Sequence, residues 1–414
     1  MTPPALTPVH SAVVLTVSPT GLAVARSLAP RGVPCWGVDS NRREIGHYSR
    51  WLRRDPRFSY LPAGAPLLEA LRVFGRSQPA PPVLFCAGDP YIDFVSEHHE
   101  LLREDFILAD SMRPEVNSIL VDKRTFYERC EELDVPMPRT FFPEDESGAE
   151  RAAAALRYPA IVKPTLGHLF RLRLGGEKLV EVANADDCLR WWKRFREWGG
   201  DSVLQEVVEG PEANIYVAAV YTDADLECRA LFTAQKSRQY PPMYGSGSYM
   251  EADWNPTIAK ISADLVRKLE YRGICGTEFK WDERDREWKL IEVNPRPTLW
   301  FSLARAAGCD VVWDAYCDLT GDRNPIHVGE QDDRVRWQHL VRDLVSARHF
   351  WRLGELSTRS VLKTVLDPRH KDYAVLSLRD PGTALGYPLN TLWKYWTVVR
   401  RGGRDPATTT ERVS

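Results

Sequence analysis

Residues 273–297 read GICGTEFKWDERDREWKLIEVNPRP. Two runs rich in aliphatic and aromatic residues flank a charged turn, Asp282 to Glu287, which predicts an antiparallel hairpin. Side chains alternate between the faces of an extended strand. Glu292, Asn294 and Arg296 therefore share one face, and Val293 and Pro295 share the other. The returning register brings Glu278, in GTEFKW, next to Glu292. One face then carries two carboxylates, an amide oxygen and a guanidinium, while the other is free to enter a core. Such oxygens are hard ligands of the kind magnesium takes alongside phosphate oxygens. A guanidinium beside them suits charge that develops on a phosphoryl or tetrahedral centre. The plainer alternative is a ladder of ion pairs on a solvated face. The shared register of all four groups, with a proline on each side of Arg296, favours chemistry.

The 414 residues correspond to two to four domains at about 100–200 residues each. The first part alternates strand and helix signals. SAVVLTV (11–17), VPCWGVDS (33–40) and PPVLFCAGDP (81–90) read as strands, and LAVARSLAPRG reads as a helix stopped by Gly32. This predicts a parallel α/β sheet. From about 115 the pattern becomes α+β. Helices are expected at 121–140, 185–199 and 257–271, and strands at YPAIVKPT (158–165), LVEV (179–182) and VLQEVVEG (203–210). A hairpin is expected over 214–237 with its turn at Asp223–Asp225. Residues 335–354 read as a helix, and the last ten residues as unstructured.

A net charge of −2 argues against a dedicated nucleic-acid binder. No apolar run approaches the ~18 residues of a membrane span. The N-terminal apolar run lacks a charged flank and reads as a strand rather than a signal peptide. The eight cysteines are scattered without a CxxC pair, so neither a zinc site nor a disulfide framework is expected, and the expected compartment is the cytoplasm.

GTEF followed by IEVNPRP resembles the metal-binding end of the ATP-grasp superfamily, and other pieces occur in that family's order. Lys123, in VDKRTFYERC, and Lys163, in YPAIVKPT, resemble its two phosphate-binding lysines. VLQEVVEGPE (203–212) resembles its adenine-binding linker. The resemblance implies an ATP-grasp fold with a Rossmann-like N-terminal domain at 1–114 and a two-lobed ATP-binding core at 115–325. The small lobe would span about 125–205 and the large lobe about 206–325, followed by a mostly helical extension at 326–414. It implies that Lys123 and Lys163 contact α- and β-phosphates and that Gln205 meets the adenine amino group. Glu206 and Val208 would offer backbone groups to the adenine edge, and Glu212 would accept from the ribose. Glu278, Glu292 and Asn294 would hold two Mg²⁺ ions, with Mn²⁺ as a substitute, and Arg296 would stabilise the transferring group. Lys236 and Arg238, two apart in AQKSRQYPPMYGSGS, would hold the γ-phosphate and a substrate carboxylate.

The activity implied is that of a carboxylate–amine ligase of the D-aspartate ligase kind. It would join small-molecule substrates through an acyl phosphate, in a protein that often dimerises. The alternatives are a non-catalytic ATP-binding scaffold, a kinase acting on a hydroxyl and a nicotinamide oxidoreductase. The last is disfavoured because SPTG has one glycine where a dinucleotide fingerprint has three, although Asp39 follows.

Three features depart from the family pattern or lie outside it. TLGHLFRLRLGGEK (165–178) stands where a small-residue loop is usual, and its His168, Arg171 and Arg173 suit an acidic substrate or a lid. The run 41–57 sets Arg42, Arg43, Arg50, Arg53, Arg54 and Arg57 against Glu44 and Asp55. This charge suits a phosphorylated or polyacidic substrate, or simply a solvated face. TLWKYWTVVRRGGR (391–404) mixes aromatic residues and cations, which fits either a packing helix or peripheral membrane contact.

Overall fold

The computed structural model describes residues 10–165, 174, 179–367 and 369–400. His168, Arg171 and Arg173 lie outside them, as do the side chains of the aromatic and basic stretch after Thr391 and the last ten residues.

Three sheets organise the chain. The first is parallel, in the order β2-β1-β3, with β1 at Ala12–Leu15, β2 at Cys35–Val38 and β3 at Val83–Cys86. Its first turn is tight. Thr16 takes a φ of 68°, and a Cβ on Gly21 would lie 2.0 Å from the Thr16 carbonyl oxygen. Ser18 then caps the helix Pro19–Leu28 by accepting from the Thr20 N–H. Asp39 holds this turn together. Its Oδ2 accepts from Thr16 Oγ1 (2.7 Å) and Val17 N (3.1 Å), and its Oδ1 accepts from Asn41 N (2.9 Å). The carboxylate that resembled a ribose ligand is therefore engaged by the fold itself, in line with the missing glycines.

The second sheet is antiparallel, in the order β4-β7-β5-β6: Thr140–Phe141, Ser202–Glu206, Ala160–Pro164 and Val180–Val182. Helices Glu146–Ala155 and Ala185–Glu197, capped by Asp145 and Asn184, supply Ala149, Ala152, Cys188, Trp192 and Phe195 to its core.

The third sheet has eight strands. Its main path is β12-β11-β8-β9-β10-β14-β15, and β13 (His327–Val328) pairs with β9. The ranges are β8 Ile215–Thr222, β9 Cys228–Tyr240, β10 Ser246–Ala252, β11 Gly273–Asp282, β12 Glu287–Asn294, β14 Arg336–Gln338 and β15 Lys371–Tyr373. Strand alternation divides its side chains between two cores. Val217, Ala219, Tyr221, Phe232 and Ala234 join Val24, Leu28, Leu303 and Val311 on one face. Ala218, Val220, Leu231, Cys275 and Leu290 join Phe126, Tyr127, Cys130, Ile258 and Leu265 on the other. The helix Pro19–Leu28 thus seats the N-terminal sheet on the same core as the large sheet.

One expectation for the C-terminal part is corrected. Arg336–Gln338 is a strand, not the start of a helix, and the helix begins at Leu340. The extension, largely helical in its described residues, also adds β13, β14 and β15 to the large sheet. Without β14, β10 would present an open edge. Trp337 is fully buried there and donates to Ser302 Oγ at 2.8 Å. The extension is pinned from the other side by Arg26. This buried guanidinium pairs with Asp380 at 3.2 Å and donates to the Val375 carbonyl and Thr383 Oγ1. Asp380 also accepts from Ser49 Oγ and Arg50 N.

A charged clamp joins the second sheet to the third. Arg157 donates to the buried Glu206 on β7 (2.9 and 2.7 Å) and to Asp285 in the β11–β12 turn (2.8 Å from each donor). Burial raises the Glu206 pKa, but its hydrogen bonds from Arg157 outweigh that and leave it below the usual range.

Two predictions follow from these pairs. The Glu206 contribution is present above the ordinary glutamate value of 4.5 and is lost as pH falls through the lower folded value. Glu206→Gln should therefore cost about 2 kcal/mol at neutral pH, with the gap to wild type closing in acid. Urea unfolding at several pH values checks this, and a gap independent of pH would contradict it. Asp380→Ala leaves Arg26 buried without its counter-charge, an expected loss of about 3–5 kcal/mol. Limited proteolysis should then release the segment after residue 370 first, and cutting elsewhere first would argue against the pin.

Candidate active site

The two lobes and the N-terminal domain enclose a cleft of about 1140 Å³. Its floor is the β9–β11–β12 end of the large sheet. Lys236, Arg238, Glu278, Lys280, Glu292 and Asn294 all line it. They lie on the face whose apolar residues build the shared core farther along the same strands. Glu278 and Glu292 are direct cross-strand partners, and Gly276 faces Asn294.

The register shifts between Glu278 and Phe279, which pairs with Leu290 and leaves Ile291 as an extra residue. This bulge changes the phase of the strand. Leu290 and Val293 both enter the core while Glu292 points into the cleft. Strict alternation holds only from Glu292 to Asn294, where β12 ends. Arg296 lies beyond it in the following turn, so it does not share a continuous strand face with the other two as expected. Its Nε donates to Asp89 Oδ1 at 2.5 Å, across to the N-terminal domain.

The two cations expected for phosphate and substrate are already held by carboxylates. Lys236, 3% exposed, donates to both oxygens of Glu278 at 2.8 and 2.9 Å. Arg238, 8% exposed, makes a two-pronged pair with Asp343 of the helix Leu340–Arg352 (2.7 and 2.9 Å) and lies 4.5 Å from the Tyr249 ring centroid. Both nevertheless line the cleft. Charged groups this deeply buried are stable only when paired.

Across the cleft, Lys163 Nζ donates to Gln205 Oε1 at 3.0 Å. Gln205 Nε2 donates to Tyr127 Oη and Thr140 Oγ1, both at 2.7 Å. The amide hydrogens of Gln205 are thus engaged, and only its carbonyl oxygen keeps acceptor capacity for an amino group. Lys123 stands at the start of the helix Lys123–Glu132, capped by Asp122, and Nζ reaches the Pro164 and Thr165 carbonyls at 3.4 and 3.3 Å. Glu206 is 2% exposed with its carboxylate on Arg157, so only its backbone is available to a nucleotide. The Val208 carbonyl is occupied by Lys280 Nζ at 2.8 Å. Glu212 lines the cleft with its carboxylate already accepting from the protein. Its carboxylate accepts from Gln239 N (3.2 Å), Gln239 Nε2 (3.1 Å) and Met243 N, and burial raises its pKa.

Sequence reading missed Lys280. Its pKa is lowered by burial, and it ties β11 to the linker between the lobes. The available signal was its position two residues after Glu278, which fixes it on the same strand face. It also missed Asp343, Asp89 and Tyr127, whose roles arise only from contacts distant in sequence.

The oxygens present suit a hard divalent cation. Glu278 and Glu292 face each other with Asn294 one step along, and the Glu292 and Asn294 side chains have no hydrogen-bond partner among the described residues. No group of three His, Cys, Asp or Glu side chains forms a metal cage among those residues. The protein's set is therefore two carboxylates and an amide, which leaves positions for phosphate oxygens.

The model of an ATP-grasp domain matches residues 120–299. The chain is 26% identical over 223 residues to D-aspartate ligase of Enterococcus faecium (strain Aus0004), covering 52% of this chain and 53% of that protein. It is 25% identical over 177 residues to formate-dependent phosphoribosylglycinamide formyltransferase of Pseudomonas entomophila (strain L48), covering 41% of this chain and 42% of that protein. The matches thus span about half the length of these relatives. Among solved structures, the fold is similar to the biotin carboxylase domain of Hydrogenobacter thermophilus 2-oxoglutarate carboxylase, with a TM-score of 0.60 and 16% identity over 80% of this chain and 74% of that one. It is also similar to N5-carboxyaminoimidazole synthetase of Staphylococcus aureus, with a TM-score of 0.59 and 14% identity over 78% of this chain and 80% of that one. Residues 120–299 thus match an ATP-grasp domain, and the fold of the chain is that of ATP-grasp proteins.

Proposed function

We propose that the protein is an ATP-dependent carboxylate–amine ligase. The observation that carries this reading is the convergence of Glu278, Glu292 and Asn294 on one cleft wall with Lys123 and Lys163 lining the same cleft. A substrate carboxylate oxygen attacks the γ-phosphorus of ATP, and ADP leaves. The amine nitrogen of a second substrate then attacks the acyl carbon. Phosphate leaves, the nitrogen loses a proton and an amide remains. The similarity to D-aspartate ligase favours an amino acid as the carboxylate substrate.

Lys123 and Lys163 neutralise the α- and β-phosphates as compact cations on flexible stems. Gln205 accepts the adenine amino hydrogen through Oε1, and Glu206 and Val208 present backbone to the base. Glu212 shapes the ribose end by holding Gln239 and Met243. Glu278, Glu292 and Asn294 would hold Mg²⁺, which would supply positive charge to the phosphate oxygens of ATP. Lys236 holds the Glu278 side chain in place through both of its oxygens. Arg296 exchanges Asp89 for the transferring group, and Arg238 stiffens the adjoining wall through Asp343. Catalysis is then mainly positioning and charge neutralisation.

The test is phosphate release from MgATP across amino acids supplied singly and in pairs, with the products identified by mass spectrometry. An amide product with free phosphate supports the ligase. A stable phosphate ester would instead indicate a kinase, and silence with every pair and with larger amine acceptors would indicate a binding module. Glu292→Ala should reduce turnover about a hundredfold or more while the protein stays folded. Lys280→Met frees the Val208 carbonyl and should raise the KM for ATP about tenfold with kcat changed less. Equal loss in both constants would place Lys280 in the chemistry rather than in nucleotide binding.

A further inference from the structure

We infer that a second cavity, between the basic loop around residues 42–54 and the start of the C-terminal helix, binds a phosphate group, carried either on a soluble molecule or on a lipid headgroup. The cavity holds about 640 Å³ and is lined by Arg42, His47, Arg50, Arg54 and the Pro381–Gly382 turn, among others. None of its lining residues belongs to the cleft described above. The inference is independent of the ligase reading.

The reason is an unbalanced charge held in a fixed place. The acids of this region are already engaged. Asp55 holds Arg57 at 2.9 and 2.6 Å, and Glu44 accepts from Ile45 N and Asn41 Nδ2. Asp39 holds the first turn, and Asp380 is neutralised by Arg26. The guanidinium groups of Arg42, Arg50 and Arg54 make no ion pair among the described residues. Aromatic groups hold them instead. Arg42 lies 4.7 Å from the Tyr60 ring centroid, Arg50 lies 4.9 Å from that of Trp51, and Arg54 Nη1 donates to Tyr60 Oη at 3.4 Å. Three cations around one cavity repel each other unless an anion joins them. Their planar forks match the oxygens of a phosphate group, and their aromatic supports reduce the ordering that binding would demand.

The fourth wall is built for close approach. A Cβ on Gly382 would lie 2.1 Å from the Tyr48 carbonyl oxygen, and one on Gly386 would lie 2.3 Å from the Tyr48 ring. The 20-residue helix Pro381–Arg400 therefore sits directly on this loop, with its N-terminal end at the cavity. The positive end of its dipole adds to the arginine charge. His47 is buried in the wall, and burial lowers its pKa, so it adds a neutral hydrogen-bonding ring at neutral pH. The site also adjoins the active cleft: Gly46 N donates to the Val17 carbonyl at 2.8 Å, and the next residues, Ser18 to Thr20, line that cleft.

Two probes separate the sources of phosphate. The full chain is titrated with pyrophosphate by calorimetry at constant ionic strength. It is also cosedimented with vesicles of equal parts phosphatidylglycerol and phosphatidylcholine, against phosphatidylcholine alone. Each is repeated with the double variant Arg42→Gln/Arg54→Gln and with Lys163→Gln in the nucleotide cleft. The expected result is binding of pyrophosphate or of the anionic vesicles that weakens about tenfold or more in the double arginine variant and persists in Lys163→Gln. Pyrophosphate binding assigns a soluble ligand, and vesicle binding alone assigns a headgroup. Binding of neither, or binding that only Lys163→Gln removes, overturns the inference. Should the double variant unfold, Arg42→Lys/Arg54→Lys keeps the charge but loses the forks. It should bind measurably more weakly than wild type, and unchanged binding would also overturn the inference.

Discussion

The cleft depends on one sheet face that changes character along its length. On β9 and β11, beside the wholly uncharged β8, the same side of the strand is apolar at one end and charged at the other. Val217, Phe232, Ala234 and Ile274 are packed under helices of the N-terminal domain and of residues 301–319. Lys236, Arg238, Glu278 and Lys280 follow on the same face. Strand alternation makes this economical, because one set of backbone hydrogen bonds both anchors the core and aims the polar groups. The bulge at Ile291 lets β12 take part: it keeps Leu290 and Val293 buried while turning Glu292 outward.

Charge balance then sets how the pieces are held. Lys236, Arg238 and Arg296 each meet a carboxylate from a different element: β11, the helix Leu340–Arg352 and the N-terminal domain. For Lys236 and Arg238, in an interior of low polarity, an unpaired charge is costly, so each recruits an anion from the element packed against it, whereas Arg296 meets the exposed Asp89 near solvent. The C-terminal extension is for this reason part of the site architecture. Its Asp343 holds Arg238, its β14 covers the edge of β10, and its Arg342 and Phe350 line the cleft.

The connection between the lobes follows the same logic with softer contacts. Lys280 and Arg284 hold the Val208 and Val207 carbonyls of the linker, and Arg157 bridges Glu206 and Asp285. Tyr244, from the β9–β10 connection, donates to Glu181 on the small lobe at 2.7 Å. These few polar contacts span the cleft, in contrast with the apolar core behind it.

The sequence by itself determined which segments are strands and helices wherever an apolar period was clean. The hairpin of 273–294, the hairpin with its turn at 223–225 and the parallel strands of the first domain are of this kind. It also brought Glu278, Glu292 and Asn294 near one another through the short turn of the hairpin, but their shared face depends on the bulge at Ile291, which an unbroken two-residue period does not contain. It misread Arg336–Gln338, where RWQ has no period of its own and becomes a strand because β10 has an edge to fill. It left the partners of Lys236, Arg238 and Arg296 undetermined, since Asp343 lies 105 residues from Arg238 and Asp89 lies 207 from Arg296. Local patterns carry local geometry, but the pairing of buried charges is decided only when distant elements pack and exclude water from between them.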